Sequence, residues 1–245
     1  MRNVLLLHGG AGPQSVAPFA ARLAAERPAN VLTPTHPGFD GTPRPPEIGD
    51  VPALARHYRD LLDERDLTDV TVVGNSIGGW IAAELALLGS PRVTSLVLVD
   101  AVGIEVPGHP VIDFFNVPLP EIANHSFYEP DRFRIDPAAM SEEARAAMAG
   151  NRATLAVYSG PHDMADPSLL GRLPAVTVPT LVVWGSHDGI AGPEYGKAFA
   201  AAIPGARFVL LEHTGHLPQL ESPAALLETI WPLSSFPQPS SFSQL

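Results

Sequence analysis

Val70-Thr71-Val72-Val73-Gly74-Asn75-Ser76-Ile77-Gly78 decides the fold. A β-branched run leads straight into Gly-x-Ser-x-Gly, and an apolar stretch with Trp80, Ile81, Leu85 and Leu88 follows. This order reads as a strand, a sharp turn and a helix. Ser76 then stands at the tip of the turn, in a strained backbone conformation with its hydroxyl exposed. Gly74 and Gly78 fit because the close approach of strand and helix leaves no room for side chains. The plainer reading is a glycine-rich turn with an incidental serine, because the bare pattern is short. A serine hydroxyl is a weak nucleophile. A catalytic Ser76 therefore requires a base, a carboxylate that orients the base, and backbone donors for the oxyanion.

Each of these parts has a candidate at the end of another apolar run. Val4-Leu5-Leu6-Leu7 is followed by His8-Gly9-Gly10-Ala11-Gly12. Glycines there let the backbone approach a ligand, and the amide of Gly10 can pair with that of Ile77 to form an oxyanion hole. His8 is read as a brace for the loop rather than as the base. A phosphate loop is disfavoured, since neither Gly-Lys-Ser/Thr nor a dinucleotide fingerprint follows. Thr180-Leu181-Val182-Val183-Trp184 precedes Gly185-Ser186-His187-Asp188-Gly189, and Asp188 just past a strand end is the preferred acid. Asp100, which ends Val97-Leu98-Val99, is its rival, and a simple turn aspartate is the plainer reading of Asp188. Arg207-Phe208-Val209-Leu210-Leu211 precedes Glu212-His213-Thr214-Gly215-His216. His216 is the preferred base and His213 its rival. As a metal pair they lack a cysteine and a third ligand. Ser222-Pro223 then reads as an N-cap and first turn of a final helix.

These motifs together resemble the α/β-hydrolase superfamily. The resemblance rests on His8-Gly9-Gly10, Gly74-Asn75-Ser76-Ile77-Gly78-Gly79, Asp188, and Gly215-His216-Leu217-Pro218 with Glu221-Ser222-Pro223, and runs from about residue 3 to residue 231. It implies a serine hydrolase with Ser76 as nucleophile, His216 as base, Asp188 as acid, and Gly10 and Ile77 as oxyanion donors. It implies no metal or organic cofactor and a small-molecule substrate. Thr35-His36-Pro37-Gly38-Phe39-Asp40-Gly41 resembles the family's pocket-lining loop after its next strand. The usual N-terminal hairpin is missing, so a smaller, mostly or wholly parallel sheet is expected. The Gly-Asn-Ser-x-Gly-Gly elbow resembles that of C–C bond hydrolases acting on ring-cleavage products. Those usually carry tryptophan after the catalytic histidine, where this chain has Leu217. An ester or lactone substrate is therefore favoured over C–C cleavage. A lyase on the same scaffold, or a ligand-binding or signalling protein that keeps the pocket, is compatible with the same motifs. Ser76 argues against the related dehalogenases and epoxide hydrolases, whose nucleophile is aspartate.

Composition agrees with one large α/β domain. The chain has 245 residues, 45% of them hydrophobic, enough for a sizeable core. A net charge of −11 disfavours nucleic acid and anionic membranes as partners. There is no cysteine, so thiolate chemistry and disulfides are excluded. No apolar run is long enough to span a membrane, and no secretory signal is evident, so the cytoplasm is the expected location.

Strands are expected near residues 4–8, 30–34, 70–75, 93–99, 180–185 and 206–211. Helices are expected near 15–26, 51–65, 77–89, 191–202 and 222–231. This alternation predicts a mostly parallel sheet flanked by helices, built from residues 1–102 and 179–231. Residues 103–178 read as an inserted helical cap, with a helix from Ser141 to about Tyr158 capped by Ser141. Phe114, Phe115, Phe127, Tyr128 and Phe133 would either roof the pocket or form the cap's own small core. The uncharged Ser/Pro-rich tail over 232–245 is expected to be irregular.

Overall fold

Strands and helices alternate in a computed structural model that describes residues 1–162 and 164–232. The strands are β1 (Arg2–Leu7), β2 (Ala29–Leu32), β3 (Val70–Asn75), β4 (Val93–Val99), β5 (Thr180–Gly185) and β6 (Arg207–Leu211). The helices are α1 (Ala17–Glu26), α2 (Val51–Glu64), α3 (Ile77–Leu87), α4 (Leu119–Ser126), α5 (Glu142–Ser159), α6 (Leu169–Arg172), α7 (Pro193–Ala202), α8 (Pro218–Glu221) and α9 (Pro223–Ile230). The expected irregular tail begins at Pro232, and its residues 233–245 lie outside the described residues.

The strand order is β2-β1-β3-β4-β5-β6, and every pairing is parallel. Among the described residues the sheet is thus wholly parallel, within the expectation of a mostly or wholly parallel sheet. Alternate residues face opposite sides of each strand. Leu5, Leu7, Val72, Leu96, Leu98, Val182 and Trp184 pack with α2, α3 and α7 on one face. Val4, Leu6, Val73, Val97, Val99, Leu181 and Val183 pack with α1 and α9 on the other. Two-sided burial is why these strands read as continuous apolar runs.

The chain leaves β1 for β2 on one side and returns to β3 on the other. Sheet order reverses there, and in open α/β sheets ligands bind outside the C-terminal ends of the strands at such a switch point. Leu7 pairs with Gly74 at that edge, which sets the His8 loop beside Ser76.

The long β4–β5 connection holds α4, α5 and α6, and among the described residues its one strand-like pairing is the bridge Gly103–Ala165. Ser141 caps α5 as expected, accepting from the Ala144 amide at 3.2 Å, with Glu142 and Glu143 in the first turn. Helix α4 was not anticipated; it is short and starts at a Pro-flanked turn, with too few apolar positions for a periodic signal. Ser222 stands at the N-cap position of α9, but its hydroxyl bonds the Thr214 hydroxyl at 2.7 Å instead of the helix.

Arg172 fastens this connection to the core. Its guanidinium reaches both carboxylate oxygens of Glu84 on α3, at 2.7 and 2.5 Å, and Asp166 at 2.7 Å. The Glu84 side chain is only 6% exposed, so removing its partner leaves a buried charge unpaired. Arg172→Ala is expected to destabilise the protein by about 2 kcal/mol, the burial penalty being reduced because the guanidinium itself is partly in water. Chemical denaturation measures this, and Glu84→Gln added to that variant should recover much of the loss.

Candidate active site

Ser76 follows β3 directly, with φ 56° and ψ −123°. A non-glycine residue in the left-handed half of φ space is strained, and backbone hydrogen bonds hold it there. The Ser76 amide continues the ladder to the Val99 carbonyl at 3.0 Å, while its own carbonyl accepts from Gly79 and Trp80 to start α3. A Cβ at Gly74 would fall 2.1 Å from the Gly78 carbonyl oxygen. One at Gly78 would fall 2.4 Å from the Leu7 carbonyl oxygen. Both glycines are therefore required by close backbone approach, as the sequence pattern implies. Ser76 itself is buried rather than exposed at the tip. The β1 loop closes over it, with Gly9 so near that a Cβ there would lie 3.0 Å from the Ser76 Cβ.

Asp188 and His216 are brought together from the loops after β5 and β6. His216 Nδ1 lies 2.8 Å from Asp188 Oδ2, and both residues are buried. Asp188 Oδ1 accepts from the Ile190 and Ala191 amides at 2.8 and 3.1 Å. These bonds fix the carboxylate plane and leave Oδ2 for the imidazole. Gly185 and Gly215 make the approach of the two loops possible, since a Cβ at Gly185 would fall 2.1 Å from the Gly215 carbonyl oxygen. His213, the rival base, lies elsewhere: its exposed ring faces Tyr128 and His187.

Asn75 links the elbow to the histidine loop. Its Nδ2 donates to the His216 carbonyl at 3.0 Å and to the Val99 carbonyl at 3.2 Å, and its Oδ1 accepts from Gln219 at 3.0 Å. The residue before Ser76 is thus bonded to the backbone of His216. Glu221 is a second organiser missed in the sequence, accepting from the amides of Gly215, Tyr128 and Glu129. Both residues stand inside the quoted motifs, but side-chain-to-backbone bonds across long sequence separations leave no local pattern.

Asp100, the rival acid, enters the same cluster. Asp100, Asp188 and His216 each place one polar side-chain atom within 4.8 Å of the other two. This is the one grouping of its kind among the described residues. Asp188 Oδ2 and His216 Nδ1 are already bonded to each other and Asp188 Oδ1 to two backbone amides, so the cluster reads as a hydrogen-bonded Asp188–His216 pair with Asp100 beside it and not as a cation cradle.

His8 braces the loop, as expected. Its Nδ1 donates to the Gly9 carbonyl at 2.8 Å, and its Nε2 accepts from the His36 amide at 3.1 Å. His36 in turn donates from Nε2 to the His8 carbonyl at 2.9 Å and accepts at Nδ1 from the Tyr58 hydroxyl. Each ring is used as both donor and acceptor, which only the neutral imidazole permits. Burial lowers the His8 pKa to about 4 and pushes His36 well below its usual value. Unfolded, His8 binds a proton below about pH 6.5, while the folded protein does not until about pH 4. Stability from His8 is therefore full above that range and lost as pH falls through it, by order of 3 kcal/mol. Unfolding midpoints measured from pH 7 to 4 should fall steeply, and His8→Gln should flatten the fall.

Helix α5 lies against both loops. Leu155 sits over Gly10, where a Cβ would fall 2.5 Å from Leu155 Cδ2. Asn151 accepts from the Asp40 amide at 2.7 Å, Thr154 donates to the Gly38 carbonyl at 2.8 Å, and Tyr158 to the Pro37 carbonyl at 2.7 Å. The end of α4 meets the other two loops: His125 accepts from Gly189 and Ser126 from His216, at 2.9 and 2.8 Å. Most of the aromatics pair among themselves. Phe127 stacks on Phe133 at 4.3 Å, and Phe114 and Phe115 form an edge contact beneath Arg152.

The sequence profile of the alpha/beta hydrolase family matches residues 4–229. The chain belongs to that family. The hydrolase for 2-hydroxy-6-oxo-6-(2'-aminophenyl)hexa-2,4-dienoic acid from Metapseudomonas resinovorans is 28% identical over 240 residues, spanning 90% of this chain and 79% of its own. Lipase 1 of Psychrobacter immobilis is 28% identical over 233 residues, spanning 89% and 72%. The bromoperoxidase crystal structure from Bacillus anthracis superposes with TM-score 0.76 at 22% identity, over 96% of this chain and 92% of its own. That likeness shows the fold. As a member of the alpha/beta hydrolase family the protein is a hydrolytic enzyme. None of its described helices is long and apolar enough to cross a membrane.

Proposed function

We propose that this alpha/beta hydrolase cleaves a small-molecule carboxylic ester or lactone through an acyl-enzyme on Ser76. The observation that carries the reading is the buried 2.8 Å Asp188–His216 bond on a loop that Asn75 ties to the strained Ser76 elbow. His216 takes the Ser76 proton as the hydroxyl attacks the carbonyl carbon, and Asp188 holds the imidazole in the tautomer with its proton on Nδ1. Ile77 opens α3, so its amide has no partner within the helix and is available, with Gly10, for the oxyanion. His216 then protonates the leaving group, and water clears the acyl group by the same route. Residues 103–178 act as a cap, which α4 and α5 support by their bonds to the active-site loops.

C–C bond hydrolysis of a ring-cleavage diketone is the second reading, favoured by the Asn75 elbow and by the 28% identical relative from Metapseudomonas resinovorans. Leu217 stands against it. A panel containing short esters, lactones and ring-cleavage products separates the two. The reading itself is tested by a fluorophosphonate probe. The adduct is expected on the peptide carrying Ser76, with loss of ester turnover in step with labelling. An adduct on another residue, with turnover lost alongside it, overturns the assignment.

A further inference from the structure

Asp100 has no part in the proposed acyl transfer, yet it is fully buried and faces the acid and base. It stands just past β4 with φ 45°, and its amide donates to the Val183 carbonyl at 3.0 Å. Its Oδ1 accepts from the Gly185 amide at 2.7 Å. Its Oδ2 is buried with no partner. An orphaned buried carboxylate oxygen is costly, and a carboxyl oxygen facing another carboxylate gains a bond only if one of them carries a proton. Asp188, from the β5–α7 loop, and His216, from the β6–α8 loop, are the titratable groups facing it. Asp188 accepts three N–H bonds and Asp100 accepts one, so Asp188 is the better place for the negative charge.

We propose that Asp100 is a positioning residue that stays protonated and donates from Oδ2 to the Asp188 carboxyl, so that the pair presents one negative charge to His216. Burial first and the Asp188 charge second hold the Asp100 carboxyl well above the usual carboxylate range, in keeping with this assignment. The donated bond adds to the Ile190 and Ala191 amides and His216 in holding Asp188. It also limits the buried charge to what one imidazolium can balance. The role in catalysis rests on the proposed roles of Ser76, Asp188 and His216. The protonation does not.

The test compares Asp100→Asn with Asp100→Ala. Asparagine reproduces a protonated acid: its carbonyl accepts from Gly185 and its amide donates to Asp188. Asp100→Asn is expected to keep kcat for a short ester within about threefold, whereas Asp100→Ala loses about tenfold or more in kcat with little change in KM. Loss of activity in Asp100→Asn as large as in Asp100→Ala overturns the proposal, as does full activity in both. A second measurement needs no catalysis. With its folded pKa raised, Asp100 contributes stability that is full below the unfolded carboxylate pKa and lost as pH rises. The asparagine variant lacks that loss, so its Tm advantage over the native protein should grow as pH rises from about 4. Parallel Tm profiles overturn the proposal. If the native protein neither labels at Ser76 nor turns over esters, the hydrolase reading fails alone, and the Tm profiles still decide where the proton sits.

Discussion

Ser76→Ala is expected to remove essentially all ester turnover, a fall of about 10⁶ in kcat if serine and its base act as one unit. The residual rate should match what binding and the oxyanion donors alone supply. The variant should fold normally. The Ser76 hydroxyl does not cap α3, and the elbow is held by the Ser76 backbone bonds to Val99, Gly79 and Trp80. Alanine carries the same Cβ into the same strained φ, so Tm should stay within a few degrees. Ser76→Gly should relieve the strain and raise stability by about 1 kcal/mol while being equally inactive. An alanine variant that folds and retains turnover would transfer the nucleophile to another residue and end the proposed mechanism. A glycine variant no more stable than the native protein would deny that the elbow stores strain.

The sheet was legible because burial on both faces writes each strand as an unbroken apolar run. β3, β4 and β5 occupy the segments expected from the sequence, and the ends of the others differ by one or two residues. The loops after β1, β3, β5 and β6 were legible for a related reason. Glycines mark backbone approaches so close that no side chain fits, as at Gly74, Gly78 and Gly185. Partnerships without local periodicity stayed hidden. Nothing near Asn75 in the chain points to His216, and nothing near Glu221 points to Tyr128. Asp100 and Asp188 read as competitors because sequence treats a strand-end acid as one of a kind. The parallel sheet instead sets β4 and β5 side by side, so acids following adjacent strands arrive together. The short helix α4 was hidden too, and with it the contacts of Ser126 and His125 to the two loops.

Asp188→Asn is expected to lower kcat by about 10⁴ with little change in KM, by reversing the imidazole tautomer. The geometry leaves the asparagine little choice. Oδ1 of residue 188 accepts from the Ile190 and Ala191 amides, so the asparagine carbonyl must stay there. Its NH₂ then faces His216 Nδ1, 2.8 Å away in the native pair. A donor facing Nδ1 requires that nitrogen to accept, which puts the proton on Nε2. An imidazole protonated on Nε2 cannot take the proton of Ser76, although every heavy atom keeps its place. Because the shape is conserved, Tm should move by only a few degrees, and fluorophosphonate labelling of Ser76 should slow in proportion to kcat. Asp188→Ala acts differently. It orphans two buried amides and should cost about 2 kcal/mol or more in stability besides the activity. Activity near the native level in Asp188→Asn would show that His216 is not oriented by residue 188.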